Sequence, residues 1–504
     1  MRPIALLAAL LWLAAPAPAS APEALERPPA VAGGFYPADP SVLKAQVDGF
    51  FSRAKVPPIE GKILAILTPH AGIEFSGLAA AIAFKAVDPA QVDTVLLLGT
   101  AHYARVEGAA LYPGAYATPL GRAEYDAELG QALLKASPLI QAMPEAHQRE
   151  HSIEVNVNFV QRRLPKAKVV ALVMNTEDLA TEQAIGAAVA AAVKGRRVLL
   201  VASSDLSHYP AGEVDDRVDS TTLHALESLD PGLFWQTSRL WMSRRLPNLE
   251  CTYCGEGAVG AVMAAARALG ATRAQVLARY NSGDALAEHN YGRVVGYAAA
   301  VFVRDPKAKP RTAYGLSAKD KKDLLAEVRS SIKLGLEGKP PPPAELSARP
   351  AFNLPAAVFV TLQTPAPGGE KRLRGCIGST TPQGTLLEAV RLFSQAAAFE
   401  DHRFAPLAAQ ELDRVRAEIS ILSPTRPIKS ADDIRPNEHG VTVAKDGHFG
   451  IFLPQVWEMI PEKGAFLAEL CSQKAGLPRD CASDPKSQLS VFTVESFEEP
   501  WPGK

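Results

Sequence analysis

Val198-Leu199-Leu200-Val201-Ala202-Ser203-Ser204-Asp205-Leu206-Ser207-His208-Tyr209 is the stretch whose reading decides the fold. An unbroken apolar run that turns abruptly into serine, aspartate and histidine describes a β-strand covered on both faces and ending at a polar crevice. The same pattern recurs on either side. Ile63 to Leu67 leads into Thr68-Pro69-His70-Ala71-Gly72, and Val92 to Leu98 leads into Gly99-Thr100-Ala101-His102. Val169 to Val173, Gln275 to Tyr280 and Val294 to Val303 are further strand-like runs. Alanine-rich helical stretches such as Leu78 to Ala86, Ala184 to Val193 and Gly257 to Leu269 alternate with them. The alternation predicts an α/β domain with a central sheet flanked by helices.

The chain has 504 residues. That exceeds the roughly 250 to 300 residues at which a single core stops growing, so two domains are expected. With 47% hydrophobic and 21% charged residues and a formal net charge of −1, the composition is that of a folded protein. It provides no general field for nucleic acid or anionic lipid. Residues 1 to 19 read as a secretory signal: Arg2, an apolar run from Ile4 to Ala15, then Ala17-Pro18-Ala19 as a cleavage site. This predicts a secreted or periplasmic bacterial protein, with no membrane span beyond the signal.

After Val303 a charged, proline-bearing stretch without apolar periodicity marks 304 to 316 as a linker. Beyond it come a helix from Ser317 to Leu336 and strand-like segments at Val358 to Leu362, Val415 to Leu422 and Val441 to Leu453. The last contains Asp446-Gly447, a hairpin signal, and helices are interspersed at Leu386 to Phe399 and Gly464 to Ala475. The second domain is therefore a smaller α+β unit, and each half is expected to fold alone.

Ligands in open α/β sheets sit at the carboxyl ends of the strands, where His70, His102 and the Asp205 to His208 motif fall. Cys254 lies at the start of a helix, a position that favours a thiolate. His70, His102 and Cys254 make two nitrogen donors and one soft sulfur donor, suited to one iron, copper or zinc ion with coordination positions left open. Glu256 is an alternative oxygen donor. His147 and His151, at i, i+4, could clip a metal with Glu154 if that segment is helical. His224, Glu288 and His289 read as surface residues.

The runs Ala30-Val31-Ala32-Gly33-Gly34-Phe35-Tyr36-Pro37, Pro69-His70-Ala71-Gly72, His151-Ser152-Ile153-Glu154, Ser203 to Tyr209 and Cys254-Gly255 resemble the Memo family over residues 30 to 303. Its fold is similar to that of class III extradiol dioxygenases of the LigB type, non-haem iron enzymes. The resemblance implies that His70, His102 and Cys254 surround a metal site, iron or copper, and that Asp205 and His208 line the same pocket. His208 is then expected to be an acid/base group. It further implies that His151 and Glu154 orient the pocket from its edge. A cysteine stands where the dioxygenases carry a carboxylate ligand, so ring cleavage does not carry over directly. Ile73 and Glu74 stand where members of the family often carry an aromatic.

Leu373-Arg374-Gly375-Cys376-Ile377-Gly378, Ala396 to Asp401 with Arg403-Phe404, Glu418 to Pro424 and Leu453-Pro454-Gln455-Val456 resemble the AMMECR1 family over residues 317 to 500. The pairing of the two is similar to a grouping in which these families occur with a radical-SAM protein, which implies a shared pathway and no particular reaction. Cys376 beside Arg374 is either a nucleophile or a small buried thiol, with His402 and Glu418 as candidate neighbours. Cys251 and Cys254 form a C-x-x-C pair in which Cys251 could act as a resolving thiol, and Cys471 could pair with Cys481. Three functions fit these readings: a metal-dependent oxidoreductase acting on a small molecule or peptide, a metal carrier without turnover, or a peptide-binding module on a vestigial enzyme fold.

Overall fold

The computed structural model describes residues 25–501 except 287, 309–310, 343–346 and 367–369. The proposed signal at 1 to 19 lies outside the described residues. Among those described, no helix is long and apolar enough to cross a membrane.

Eight strands form the central sheet of the first part: β1 (Lys62–Thr68), β2 (Thr94–Thr100), β3 (Ala109–Tyr112), β4 (Ile140–Ala142), β5 (Lys168–Met174), β6 (Val198–Ser203), β7 (Arg273–Asn281) and β8 (Gly296–Arg304). Their order across the sheet is β7-β8-β1-β6-β2-β5-β3-β4. The four in the middle, β1, β6, β2 and β5, are mutually parallel, so their carboxyl ends emerge along one edge. β8 runs antiparallel to β1, and β3 antiparallel to β5.

Side-chain alternation explains why these strands read as continuous apolar runs. Leu96, Leu98 and Leu200 point into one hydrophobic core, whereas Val95, Leu97 and Val201 point into a second core on the opposite face. Helices cover both faces. Ile73–Lys85 and Glu154–Arg163 pack on one side, and Leu179–Ala192 and Glu256–Ala268 on the other.

The second part contains two four-stranded sheets. One is ordered Lys371–Gly378, Ala357–Pro365, Arg416–Leu422, Val494–Glu498; the other Arg426–Pro427, Gln488–Phe492, Gly440–Lys445, His448–Phe452. Asp446 and Gly447 form the tight turn between Gly440–Lys445 and His448–Phe452, with φ of +50° and +81°, as the Asp-Gly signal predicts. Cys471 and Cys481 are joined in a disulfide.

The linker is not a loose tether. Tyr314 is buried, and its hydroxyl donates to Pro355 O at 3.0 Å and Leu422 O at 3.3 Å. Arg311 bonds Glu227 and His224, and His224 bonds Tyr314 O at 2.8 Å. His224 is thus half-buried beside the linker, where a surface position was expected. One hydrophobic core continues from Leu96 and Leu98 through Tyr314 to Val358 and Ile419.

Candidate metal centre

The parallel strands deliver His70, His102 and Asp205 to one crevice, and the turn before helix Glu256–Ala268 brings Cys254 across to meet them. Gly255 is required for that approach: a Cβ there would lie 2.7 Å from Ser203 O and from Ser204 Cβ. Backbone bonds lock the crossing, with Cys254 N donating to Asp205 O at 3.2 Å and His208 N to Cys251 O at 3.1 Å.

The hydrogen-bond network fixes the ring of His70. Ser203 Oγ donates to Ser152 O at 2.6 Å, so it can only accept at His70 Nδ1, 2.9 Å away. Nδ1 therefore carries the proton, and Nε2 offers its lone pair toward Cys254 Sγ at 3.1 Å. Asn156, from helix Glu154–Arg163, also donates to Ser203 Oγ and to Pro69 O, and so supports the same assembly.

His102 is held in the same manner by Glu150, whose carboxylate takes His102 Nδ1 at 2.9 Å and the backbone N–H of His102. Its Nε2 is left free for a ligand, the arrangement in which a carboxylate orients a metal-binding imidazole. Burial would raise the Glu150 carboxyl, but its bonds with His102 and the Ser152 N–H carry it down to about 2. Glu150 was absent from the sequence-based site. A lone acid in a turn bears no periodic signal.

The ligand atoms of His70, His102 and Cys254 lie within 4.8 Å of one another. So do those of His102, Glu150 and His151, and those of Asp205, His208 and Cys254. His151 is thus inside the pocket rather than at its edge. Its ring lies 5.5 Å from that of His70 and 4.6 Å from Phe35. Burial, then the neighbouring imidazoles, hold His70 and His151 down at about 3, so both are neutral.

Asp205 accepts from the backbone N–H groups of His70 and Ala71 at 2.8 and 3.2 Å, and burial raises its carboxyl. His208 is half-buried, and its Nε2 is buried with no hydrogen-bond partner among the described residues. Burial lowers its pKa despite the opposing charge of Asp205. Burial also drives the Cys254 thiol well above its usual range. Against the thiolate expected at the helix start, burial and then the charge of Asp205 favour the protonated thiol in the metal-free protein. A bound cation would have to displace that proton.

Several other readings are corrected by the geometry. His147 is fully buried between Tyr116 Oη at 2.7 Å and Ala110 O at 3.0 Å, so it does not join His151 and Glu154 in a clip. Glu154 instead binds Arg27, Tyr36 and the N–H groups of Ala30 and Val31, and so anchors the segment that carries Phe35 to the pocket. Glu256 is turned to Arg239. Cys251 and Cys254 are both free. In the second part Arg374 is committed to Glu411 rather than to Cys376, whose Sγ accepts from Thr361 Oγ1 at 3.3 Å. His402 is exposed, and Glu418 pairs across strands with Glu498.

The donor set fits a transition-metal ion. Two imidazoles present unprotonated Nε2 atoms beside one sulfur, each imidazole fixed by a bond at its other nitrogen.

Comparison with known proteins finds two families in tandem along the chain. The profile of Memo-like proteins matches residues 27–301, and that of AMMECR1 matches residues 325–497. A MEMO1 family protein of Methanothermobacter thermautotrophicus is 33% identical over 283 residues, spanning 54% of this chain and 98% of the relative. One from Methanopyrus kandleri is 32% identical over 292 residues, spanning 56% of this chain and 100% of the relative. A crystal structure of an uncharacterized protein from Pyrococcus horikoshii is 34% identical with a TM-score of 0.33, covering 37% of this chain and 95% of its own.

Proposed function

Since this chain belongs to the Memo-like protein family, with an AMMECR1 domain in tandem, we propose that it is an exported metal-dependent oxidoreductase binding one iron or copper ion through His70, His102 and Cys254. The observation that carries this reading is the convergence of those three ligand atoms to within 4.8 Å from separate elements of the sheet edge. Such an ion, when bound, supplies a redox-active Lewis-acid centre with open coordination positions.

The remaining residues have roles in preparing that centre. Ser203 and Glu150 hold the two imidazoles in the tautomers that leave Nε2 free. Asp205 fixes the backbone of His70 and Ala71. His208, neutral and with an unpartnered Nε2, is placed to take a proton from a hydroxyl of a small-molecule or peptide substrate entering the pocket. The AMMECR1 part supplies a substrate or partner surface, and a radical-SAM protein is a functional partner of the pair.

Metal carriage without turnover is the second reading, favoured by the burial of His70. Metal analysis of the protein purified from its own compartment, followed by oxygen-uptake measurements on the metal-loaded form, tests both. About one equivalent of metal, lost in His70→Ala and His102→Ala, is expected. Full metal content in both variants rejects the site. Metal without oxygen uptake across candidate substrates selects carriage.

A further inference from the structure

We propose that the groove between the two parts of the chain is a binding site for an oxyanion, a phosphate or carboxylate group borne by a small molecule. This cavity of about 740 Å³ is walled on one side by Asp230, Arg267 and Arg311, and on the other by Arg426, Arg435 and His439. None of its lining residues belongs to the metal centre, and the proposal does not depend on that centre.

Four arginines face the groove with unequal compensation. Arg267 has Asp230 at 4.0 Å, Arg311 has Glu227 at 2.9 Å, and Arg435 has Glu438 at 3.1 Å. Arg426 has no ion-pair partner among the described residues, which leaves one positive charge uncompensated in a chain whose net charge is −1. Guanidinium groups present paired N–H donors suited to the oxygens of phosphate and carboxylate.

His439 supplies the independent observation. It is only 5% exposed, and its Nδ1 accepts the backbone N–H of Arg435 at 3.1 Å. Nδ1 is therefore the unprotonated nitrogen of the neutral ring, and Nε2 carries the hydrogen. No hydrogen bond reaches that N–H among the described residues, since Glu438 Oε1, at 3.9 Å, is beyond hydrogen-bonding distance and is already engaged by Arg435, and it stays open to the groove that the residue lines. Trp457 donates to His439 O at 2.8 Å and fixes the backbone that carries the ring. A fixed N–H donor facing the groove, on a largely buried ring, can bond an oxyanion there together with the guanidinium of Arg426.

The sequence concealed this site because its arginines come from positions 267 to 435 and converge only when the two parts dock. An anion there would contact both parts, and so would stabilise their docked arrangement.

Isothermal titration of the full-length protein with inorganic phosphate, and separately with acetate, at constant ionic strength set by sodium chloride, tests the proposal. Saturable one-site binding of at least one of the two is expected, and the tighter one identifies the group. Arg426→Ala, at an exposed position, should weaken it at least tenfold, and His439→Gln should weaken it while the metal content stays unchanged. His70→Ala should leave it intact. No saturable binding of either ion, equal affinity in Arg426→Ala, or loss of binding in His70→Ala overturns the proposal.

Discussion

The imidazole of His151 lies nearly flat against that of His102, with ring centroids 4.4 Å apart and planes 15° from parallel. Both residues also meet one carboxylate: Glu150 Oε1 accepts His102 Nδ1 at 2.9 Å and the His151 backbone N–H at 2.8 Å. The orientation of a proposed metal ligand is therefore set by an acid 48 positions further along the chain, and by a neighbouring ring.

Glu150→Gln should consequently disturb the metal centre without removing a ligand. The amide can still bond at one position, but it no longer offers a charged acceptor to both the ring and the backbone. Metal affinity is expected to fall about ten- to a hundredfold, the usual range for partners that orient a ligand. Competition with a chromophoric chelator measures it. Affinity unchanged from wild type would show that His102 is oriented by packing alone.

The strands and the three histidine motifs were legible because each is a local signal, an apolar run followed by a polar break. The partners of those histidines were not. Glu150, Ser203 and Asn156 matter through contacts across 47 to 133 positions of sequence, and none has a periodicity to betray it. β3 and β4, of four and three residues, were too short to stand out. Protonation was equally illegible: helix position suggested a Cys254 thiolate, whereas burial, which only the fold reveals, decides for the thiol.

Tyr314 illustrates the same limit in the linker, where a charged, proline-bearing text hid a buried anchor. Its hydroxyl serves two carbonyls of the second part. Tyr314→Phe should cost about 1 kcal/mol through the lost hydrogen bonds, and Tyr314→Ala about 3 to 5 kcal/mol through the cavity. Urea unfolding followed by fluorescence distinguishes them. Equal stability of all three proteins would mean that the ring contributes nothing to docking.

The Cys471–Cys481 disulfide closes a segment with a sequence separation of 10. Constraining the unfolded chain over a loop that short is worth about 2 to 3 kcal/mol in the chain-entropy account. Double replacement by alanine should lower stability by that order, and addition of a reductant should then have no further effect. A reductant that destabilises the double variant as much as the wild type would place the effect elsewhere.

Glu182 gives a prediction whose sign is opposite to that of most carboxylates. It is 1% exposed in helix Leu179–Ala192, its Oε1 lacks a partner among the described residues, and burial, then the charge of Glu256, pushes its carboxyl up to about 8. An unfolded glutamate titrates near 4.3, so between about pH 4.5 and 8 the folded state holds a proton that the unfolded state has lost. Stability from this group is therefore fully present at low pH and falls as pH rises through that window, by about 1.4 kcal/mol per unit at most. Glu182→Gln imitates the protonated form and does not titrate. Its stability relative to wild type should be close to zero near pH 4.5 and should rise to about 2 to 4 kcal/mol by pH 7.5, read from urea unfolding of both proteins at a series of pH values. A difference that stays constant with pH would show that Glu182 is already ionised in the folded protein, and would overturn this reading.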